Sequence, residues 1–266
     1  MYSNEEGALR YQRTLVPLMF APLARALVRK AELARDTCVL DIATGTGVVA
    51  RMAAAVIPQG RVFAFDTNPN MLAVARSTPS LSGSAPIEYL LSSVEAAPIP
   101  AVGWDAIFCQ QGLQFFDDPV AALIRIRHMV KPEGGLHLAL WAEETENPFT
   151  MAVQNALRAC GLEDLTAFLS RVHRLHEPSQ VIELLERGGF RLLAHEDVCV
   201  APDEPLGPAD AARLLQAMPL ASKFAELGPE RNAELVQAMQ RELEHWTVNG
   251  VLRFAIPANL YQAQPA

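Results

Sequence analysis

Nowhere in this chain does an uncharged apolar run reach the roughly 18–20 residues that cross a bilayer, so no helical membrane span is expected. A basic excess is missing too. Against 30 Asp and Glu stand 22 Lys and Arg, a net charge of −8, which speaks against a footprint for nucleic-acid phosphates. The densest basic stretch, Arg125-Ile126-Arg127-His128 with Lys131, falls on a predicted helix and reads as a solvated face. Cysteine is scarce: Cys38, Cys109, Cys160 and Cys199 are scattered, with no C-x-x-C and no Cys–His spacing suited to zinc. Neither a disulfide framework nor a metal site is expected. There is no internal repeat and no low-complexity tract. The opening residues Met1 to Glu6 are polar and acidic, without the basic-then-apolar start of a secretory signal, and a cytoplasmic setting is the expectation.

What is present is a large supply of apolar side chains. Half of the 266 residues are hydrophobic, enough for one large domain with a sizeable core. From Thr37 onward, strand and helix patterns alternate. Strands are predicted at Thr37–Ala43, Arg61–Asp66, Ile87–Leu91, Trp104–Cys109 and Gly135–Trp141, and helices at Gly47–Ile57, Pro69–Ser77 and Pro119–Val130. Short Pro, Gly and Asn punctuation separates them. This rhythm predicts an α/β three-layer sandwich with parallel strands and right-handed crossovers. Leu9 to Ala34 is helical in pattern, and Pro17 and Pro22 are expected to break it into two or three short helices. Beyond Trp141 a helical insertion is followed by a helix at Gln180–Arg187 and a strand at Phe190–Val200. A second helical stretch runs from Leu206 to Val248. Val251–Ala263 reads as a last strand that Pro257 holds to an irregular or locally unpaired position.

The most informative segment is Val39-Leu40-Asp41-Ile42-Ala43-Thr44-Gly45-Thr46-Gly47. An apolar strand runs into a glycine turn, and a helix follows at once. That arrangement points backbone N–H groups at a small polar ligand. Gly45 to Ala50 also satisfies the dinucleotide fingerprint G-x-G-x-x-G/A, which is weak on its own. Asp41 weighs against that alternative. It lies inside the strand, where an unpaired carboxylate costs several kcal/mol or more, so it needs a cationic ligand group or donors in the turn. Asp66 ends the second strand, about 20 residues past the turn, where an acid can accept both hydrogen bonds of a ribose diol; capping the next helix is its other reading. Met71 can cover an aromatic face with its thioether or simply pack.

Asp-x-Ala-x-Gly-x-Gly at a strand end resembles the first motif of the Rossmann-like S-adenosylmethionine methyltransferases, with Ala43 where the family more often has glycine. Ser92-Ser93-Val94-Glu95-Ala96-Ala97-Pro98 is similar to the family's third motif, with Ser93 at the usual acidic position. Trp104 to Phe116 resembles its fourth strand and the loop beyond. Lys131-Pro132-Glu133-Gly134-Gly135 and Arg187-Gly188-Gly189-Phe190 look like two of its structural turns. The branch most resembled is the ubiquinone/menaquinone-biosynthesis type, which acts on small molecules. The resemblance implies a seven-stranded, mostly parallel sheet with the last strand antiparallel and helical cap insertions. It implies one domain over 1–266, with a core of about 35–142 plus 178–202 and 249–264 and a cap from 1–34, 143–177 and 203–248. It further implies S-adenosylmethionine contacts at Tyr11, Asp41, Ala43, Gly45, Thr46, Gly47, Asp66, Thr67, Met71, Ser93, Val94, Glu95 and Gln110.

The implied reaction is methyl transfer to an O, N or C nucleophile of a small apolar or aromatic metabolite. Trp141, Asn147, Phe149, Gln111 and Gln114 are the expected substrate contacts. A general base is needed only for a protonated nucleophile. His173, His176, His195 and His245 are read as surface or structural groups and His137 as core, so no catalytic residue is assigned. Two alternatives stay open: an NAD-dependent oxidoreductase, and a protein that binds S-adenosylmethionine without transferring its methyl group.

Overall fold

The computed structural model describes residues 2–203 and 205–266. Seven strands form one sheet: β1 (Cys38–Ile42), β2 (Arg61–Asp66), β3 (Ile87–Leu91), β4 (Trp104–Gln110), β5 (Val130–Trp141), β6 (Phe190–Val200) and β7 (Ile256–Pro265). Their order is 3-2-1-4-5-7-6. The pairs among β1 to β5 are parallel, whereas β7 runs antiparallel to both β5 and β6. The central strands of the sheet are buried on both faces, and β1 shows why its sequence is so apolar. Val39 joins the cluster under the N-terminal helices, and Leu40 and Ile42 join the cluster on the other face. The order reverses direction at β1 and β4, which opens a crevice beyond their carboxyl ends.

The helices are α1 (Glu5–Leu15), α2 (Ala21–Lys30), α3 (Val48–Val56), α4 (Pro69–Ser77), α5 (Pro119–Arg127), α6 (Pro148–Ala159), α7 (Ala167–Val172), α8 (Pro178–Arg187), α9 (Ala211–Ala217), α10 (Ala221–Glu226) and α11 (Pro229–Glu244). Helices α5 and α8 contribute to one apolar cluster; α2, α3, α6, α9 and α11 contribute to the other. Among the described residues, no helix is long and apolar enough to cross a membrane.

Three expectations need correction. Pro17 and Pro22 do not break the N-terminal helix. A π-turn at Val16–Phe20 joins α1 to α2, and its wider bonding, with Ala21 N–H donating to the Val16 carbonyl, absorbs residues that lack an N–H. The Lys131–Gly135 turn lies inside a strand: Trp104 pairs with Val130 and Ala106 with Gly135, so the intervening β5 residues bulge out of the ladder. The last strand is two pieces. Val251–Leu252 closes a hairpin with Thr247–Val248 over Asn249 (φ +52°) and Gly250 (φ +77°), and only Ile256–Pro265 enters the sheet. Pro257 lies within β7, opposite Cys199 and one residue past its last pairing with β5, where the missing N–H costs no β5 bond.

Candidate active site

The glycine turn joins β1 to α3 through residues held at positive φ. Ala43 is at +55°, Gly45 at +56° and Gly47 at +81°. For an alanine this conformation costs roughly 1–2 kcal/mol. The surroundings fit it closely: a Cβ on Gly112 would lie 2.8 Å from the Ala43 methyl and 2.7 Å from Cys109 Sγ. Glycine at 112 therefore makes room for alanine at 43. Thr44 N–H donates to the Phe65 carbonyl at 3.0 Å and ties the turn to the end of β2.

Two carboxylates bracket this turn. Asp41 is 1% exposed, and its Oδ2 accepts from the Thr44 hydroxyl at 2.5 Å and from Ala50 N–H at 3.0 Å. The turn thus supplies donors, as its burial demands. Burial still dominates and pushes the Asp41 carboxyl up to about 7, the two hydrogen bonds acting the other way. Among the described residues Oδ1 accepts no hydrogen bond. Asp66 accepts from Gly45 N–H through Oδ2 and from Asn68 N–H through Oδ1, both at 2.8 Å. Burial raises its carboxyl above the usual range, and those N–H groups oppose the rise. Asp66 is not the helix cap. Asn68 caps α4, accepting from Asn70 and Met71 N–H. The Asp66 carboxylate is instead held rigidly at the mouth of the crevice.

A cleft of about 730 Å³ opens between these groups and the helical segments, within the usual range for a small-molecule site. Of the expected cofactor contacts, Tyr11, Asp41, Ala43, Gly45, Asp66, Thr67, Met71, Ser93, Val94, Glu95 and Gln110 line it. Thr46 and Gly47 do not. The Thr46 carbonyl faces backward to accept from Arg51 at 2.6 Å, and a Cβ on Gly47 would meet the Tyr89 hydroxyl and Arg51 behind the turn. Ser93 Oγ accepts from Ala96 N–H at 3.3 Å within its own loop, so its acceptor capacity is shared, while Glu95 is exposed at the rim. Arg125 pins this loop by donating to the Val94 and Ala97 carbonyls, each at 2.6 Å.

The expected substrate contacts Gln111, Gln114, Trp141, Asn147 and Phe149 also line the cleft. Gln114 Nε2 donates to Gln111 Oε1 at 2.7 Å, and Gln110 Nε2 donates to the Phe20 carbonyl at 3.1 Å. Among the described residues Gln110 Oε1, Gln111 Nε2 and Gln114 Oε1 are buried without partners, so this edge holds free hydrogen-bonding capacity. The remaining wall is apolar, with Phe168, Leu169 and Val172 from the first insertion and Met218 from the second. A smaller hollow of about 430 Å³, lined by Arg61, Ile87 and Trp104, lies by the strand starts at the other end of the sheet.

Tyr2 and Phe20 also line the cleft, and no motif in the chain pointed to either. Tyr2, Tyr11, Phe20 and Trp141 form a ladder of tilted aromatic contacts, with neighbouring rings 5.2, 5.0 and 5.8 Å apart. The Tyr2 carbonyl accepts from the side-chain amides of Asn68 and Asn70, and its hydroxyl donates to the Ala217 carbonyl at 2.9 Å. The first residues are thereby tied to α4 and to α9. The one signal in the chain was the Asn68-Pro69-Asn70 pair of amides, more than a cap requires. His137 stacks on Phe108 in the core, and burial pushes its pKa down to about 4.

The donor set suits a sulfonium nucleoside. The N-terminus of α3 would attract a pyrophosphate, but the Asp41 carboxylate already takes its Ala50 N–H, and Asp66 adds a second acid beside the same turn. Asp41 at that N-terminus disfavours a dinucleotide's phosphates and suits a cation, whereas Asp66 suits the ribose of either nucleoside. Gly45 keeps the turn open toward the cleft, since a Cβ there would meet only Met71 Cε at 3.7 Å. The residues present therefore fit S-adenosylmethionine.

Comparison with known proteins agrees. Residues 39–134 match the model of a methyltransferase domain. The chain is 29% identical over 184 residues to the ubiquinone/menaquinone biosynthesis C-methyltransferase UbiE of Syntrophotalea carbinolica, covering 65% of this chain and 76% of that one. It is 34% identical over 120 residues to a ubiquinone biosynthesis O-methyltransferase of Xanthomonas campestris pv. campestris, covering 44% of this chain and 48% of the relative. Its fold matches a Haemonchus contortus N-methyltransferase solved with S-adenosylhomocysteine, with a TM-score of 0.53 and 18% identity, over 91% of this chain and 52% of that one.

Proposed function

We propose that this chain, a class I S-adenosylmethionine-dependent methyltransferase by its domain and its relatives, methylates a small apolar or aromatic metabolite in the cleft above β1 and β4. The observation that carries the reading is the pair of carboxylates around the glycine turn, Asp41 at the helix N-terminus and Asp66 at the mouth of the crevice. S-adenosylmethionine, when bound, supplies a methyl group already activated on a sulfonium. The protein's own task is then to bind, align and dry the reactants. Asp66, fixed by two backbone N–H groups, keeps lone pairs for a ribose diol. Asp41 Oδ1 is free for a cationic group, and Met71 and Val94 offer apolar cover for a base. Phe168, Leu169 and Val172 with the aromatic ladder exclude water from the acceptor side, and the three glutamines orient its polar atoms. Alignment of this kind supplies about 7–11 kcal/mol of a barrier.

The whole chain works as one unit in this proposal, with 1–34, 143–177 and 203–248 as a cap. A cytoplasmic setting and the absence of a nucleic-acid partner belong to it as well, supported by the net charge of −8. Incubation with methyl-labelled S-adenosylmethionine and a fractionated extract of small metabolites tests the reading. Label on an extractable small molecule is expected; tight binding with no transfer to any fraction would favour a non-methylating protein. Trp141, on the cleft wall, makes intrinsic fluorescence a binding signal, which S-adenosylmethionine should move and NADH should not.

A further inference from the structure

A buried hydroxyl–imidazole pair stands on the acceptor side of the cleft. Thr150, in the first turn of α6, is 5% exposed and lines the cleft beside Asn147 and Phe149. Its N–H donates to the capping side chain of Asn147 at 3.0 Å, which fixes the residue's place. Thr150 Oγ1 is 3.0 Å from Nε2 of His173, a side chain that is 3% exposed. On the far side of the ring, Nδ1 is 2.7 Å from the carbonyl oxygen of Ala142, the residue after β5. A carbonyl oxygen only accepts, so Nδ1 carries the proton. In the neutral ring Nε2 is then a bare lone pair, and the Thr150 hydroxyl donates to it.

Burial holds the His173 pKa below its ordinary value, so the ring is uncharged and ready to accept at neutral pH. Its neighbours are arranged for the charged form as well. The Ala142 carbonyl and the Glu144 carboxylate favour an imidazolium, and His176 opposes it. A second proton on Nε2 would turn the Thr150 hydroxyl round. Its oxygen would then accept from the ring and its hydrogen would be free to point into the cleft.

We propose that Thr150 and His173 form a proton relay for a methyl acceptor whose nucleophile enters the cleft as a phenol or enol hydroxyl. The inference rests on the methyl-transfer reading and narrows its substrate class. The acceptor O–H gives its proton to Thr150 Oγ1 as Thr150 gives its own to His173 Nε2. The acceptor oxygen's electron pair forms the new O–CH3 bond, the C–S bond of the donor breaks, and its electron pair stays on sulfur. His173 is left as an imidazolium with Nδ1–H still on the Ala142 carbonyl, and the proton passes to solvent once the methylated product leaves. Thr150 is the catalytic residue, because it touches the acceptor. His173 acts through it. An acceptor that arrives already deprotonated, such as a free amine, would not need the pair.

The test uses 4-nitrophenol, whose absorbance separates phenol from phenolate, bound to the full chain with S-adenosylhomocysteine present so that nothing turns over. In the parent protein and in Thr150→Ser, the bound probe should ionise at a lower pH than it does in Thr150→Val and His173→Gln. Glutamine can keep both hydrogen bonds but cannot take up the proton. With labelled S-adenosylmethionine, methylation of the probe should fall on the order of 100-fold in His173→Gln, and the rate should lose its acid limb. An equal spectral shift in the parent and in His173→Gln would overturn the relay, as would failure of the probe to bind the parent while S-adenosylhomocysteine binds. If S-adenosylhomocysteine itself fails to bind, the methyl-transfer reading falls instead.

Discussion

Replacing Asp41 by asparagine separates what this carboxyl costs the fold from what it gives a ligand. The side chain is almost fully buried, and burial lifts its pKa from 3.8 to about 7. At 1.36 kcal/mol per pH unit, that difference is on the order of 4 kcal/mol in favour of the neutral form. The native pKa is the raised one, so the folded chain keeps a proton that the unfolded chain releases. The stabilisation is complete below about pH 4 and is lost as pH climbs through about 7. Asparagine keeps an oxygen for Thr44 and Ala50 and has no charge to bury. Asp41→Asn should therefore be more stable than the parent at pH 8, by up to about 4 kcal/mol less whatever the new amide loses for want of an acceptor. The gap should close toward pH 4. Binding should change in the opposite sense. A cationic ligand pulls Asp41 back to its charged form, so the parent should release up to one proton on binding S-adenosylmethionine at pH 6, and its affinity should rise up to about tenfold per pH unit until about pH 7. The variant should bind more weakly, with no such slope. Urea unfolding across pH 4–8 reads the first effect. Titration calorimetry in two buffers of different ionisation enthalpy reads the second. A variant less stable than the parent at pH 8 would mean that Asp41 is charged and well paired in the native state, and the burial argument would be refuted.

Other perturbations probe the remaining parts of the site. Asp66→Ala removes the acceptor held by Gly45 and Asn68 N–H and should weaken S-adenosylmethionine binding by roughly 1.5–3 kcal/mol; unchanged affinity in a folded variant removes the ribose role. Gly45→Ala should cost about 1–2 kcal/mol in stability from its positive φ and weaken binding further by placing a methyl on the cleft wall; normal affinity would mean the turn does not cradle the ligand. Gly112→Ala should lose about 1–3 kcal/mol in a thermal melt, because its Cβ meets Ala43 and Cys109. Adding Ala43→Gly should restore part of that loss, and strictly additive effects would count against the contact.

Features governed by near neighbours in the chain were legible in the sequence. The strand–turn–helix at residues 38–56, the acid at the end of β2 and the Pro-led helices announce themselves through period, glycine and caps. So did the reversal of the last strand, through the resemblance. Features decided by distant packing were not. Tyr2 reaches Ala217 across 215 positions, and Thr150 meets His173 across 23, so no spacing rule pairs them. Pro17 and Pro22 looked like breaks because a π-turn leaves no sequence signature. Thr46 and Gly47 belong to the motif yet sit behind it, since only the three-dimensional turn decides which atoms face the cleft. The histidines illustrate the same limit: four were read as surface or structural because hydrogen-bond reach is invisible in a sequence, and the structure gave one of them, His173, a hydroxyl in the cleft.

The most direct measurement is a crystal structure grown with S-adenosylhomocysteine. The nucleoside should lie over the glycine turn, with its ribose hydroxyls on Asp66 and its amino group toward Asp41 Oδ1. Density for the compound elsewhere, or a cleft that stays empty at saturating concentration, would contradict it.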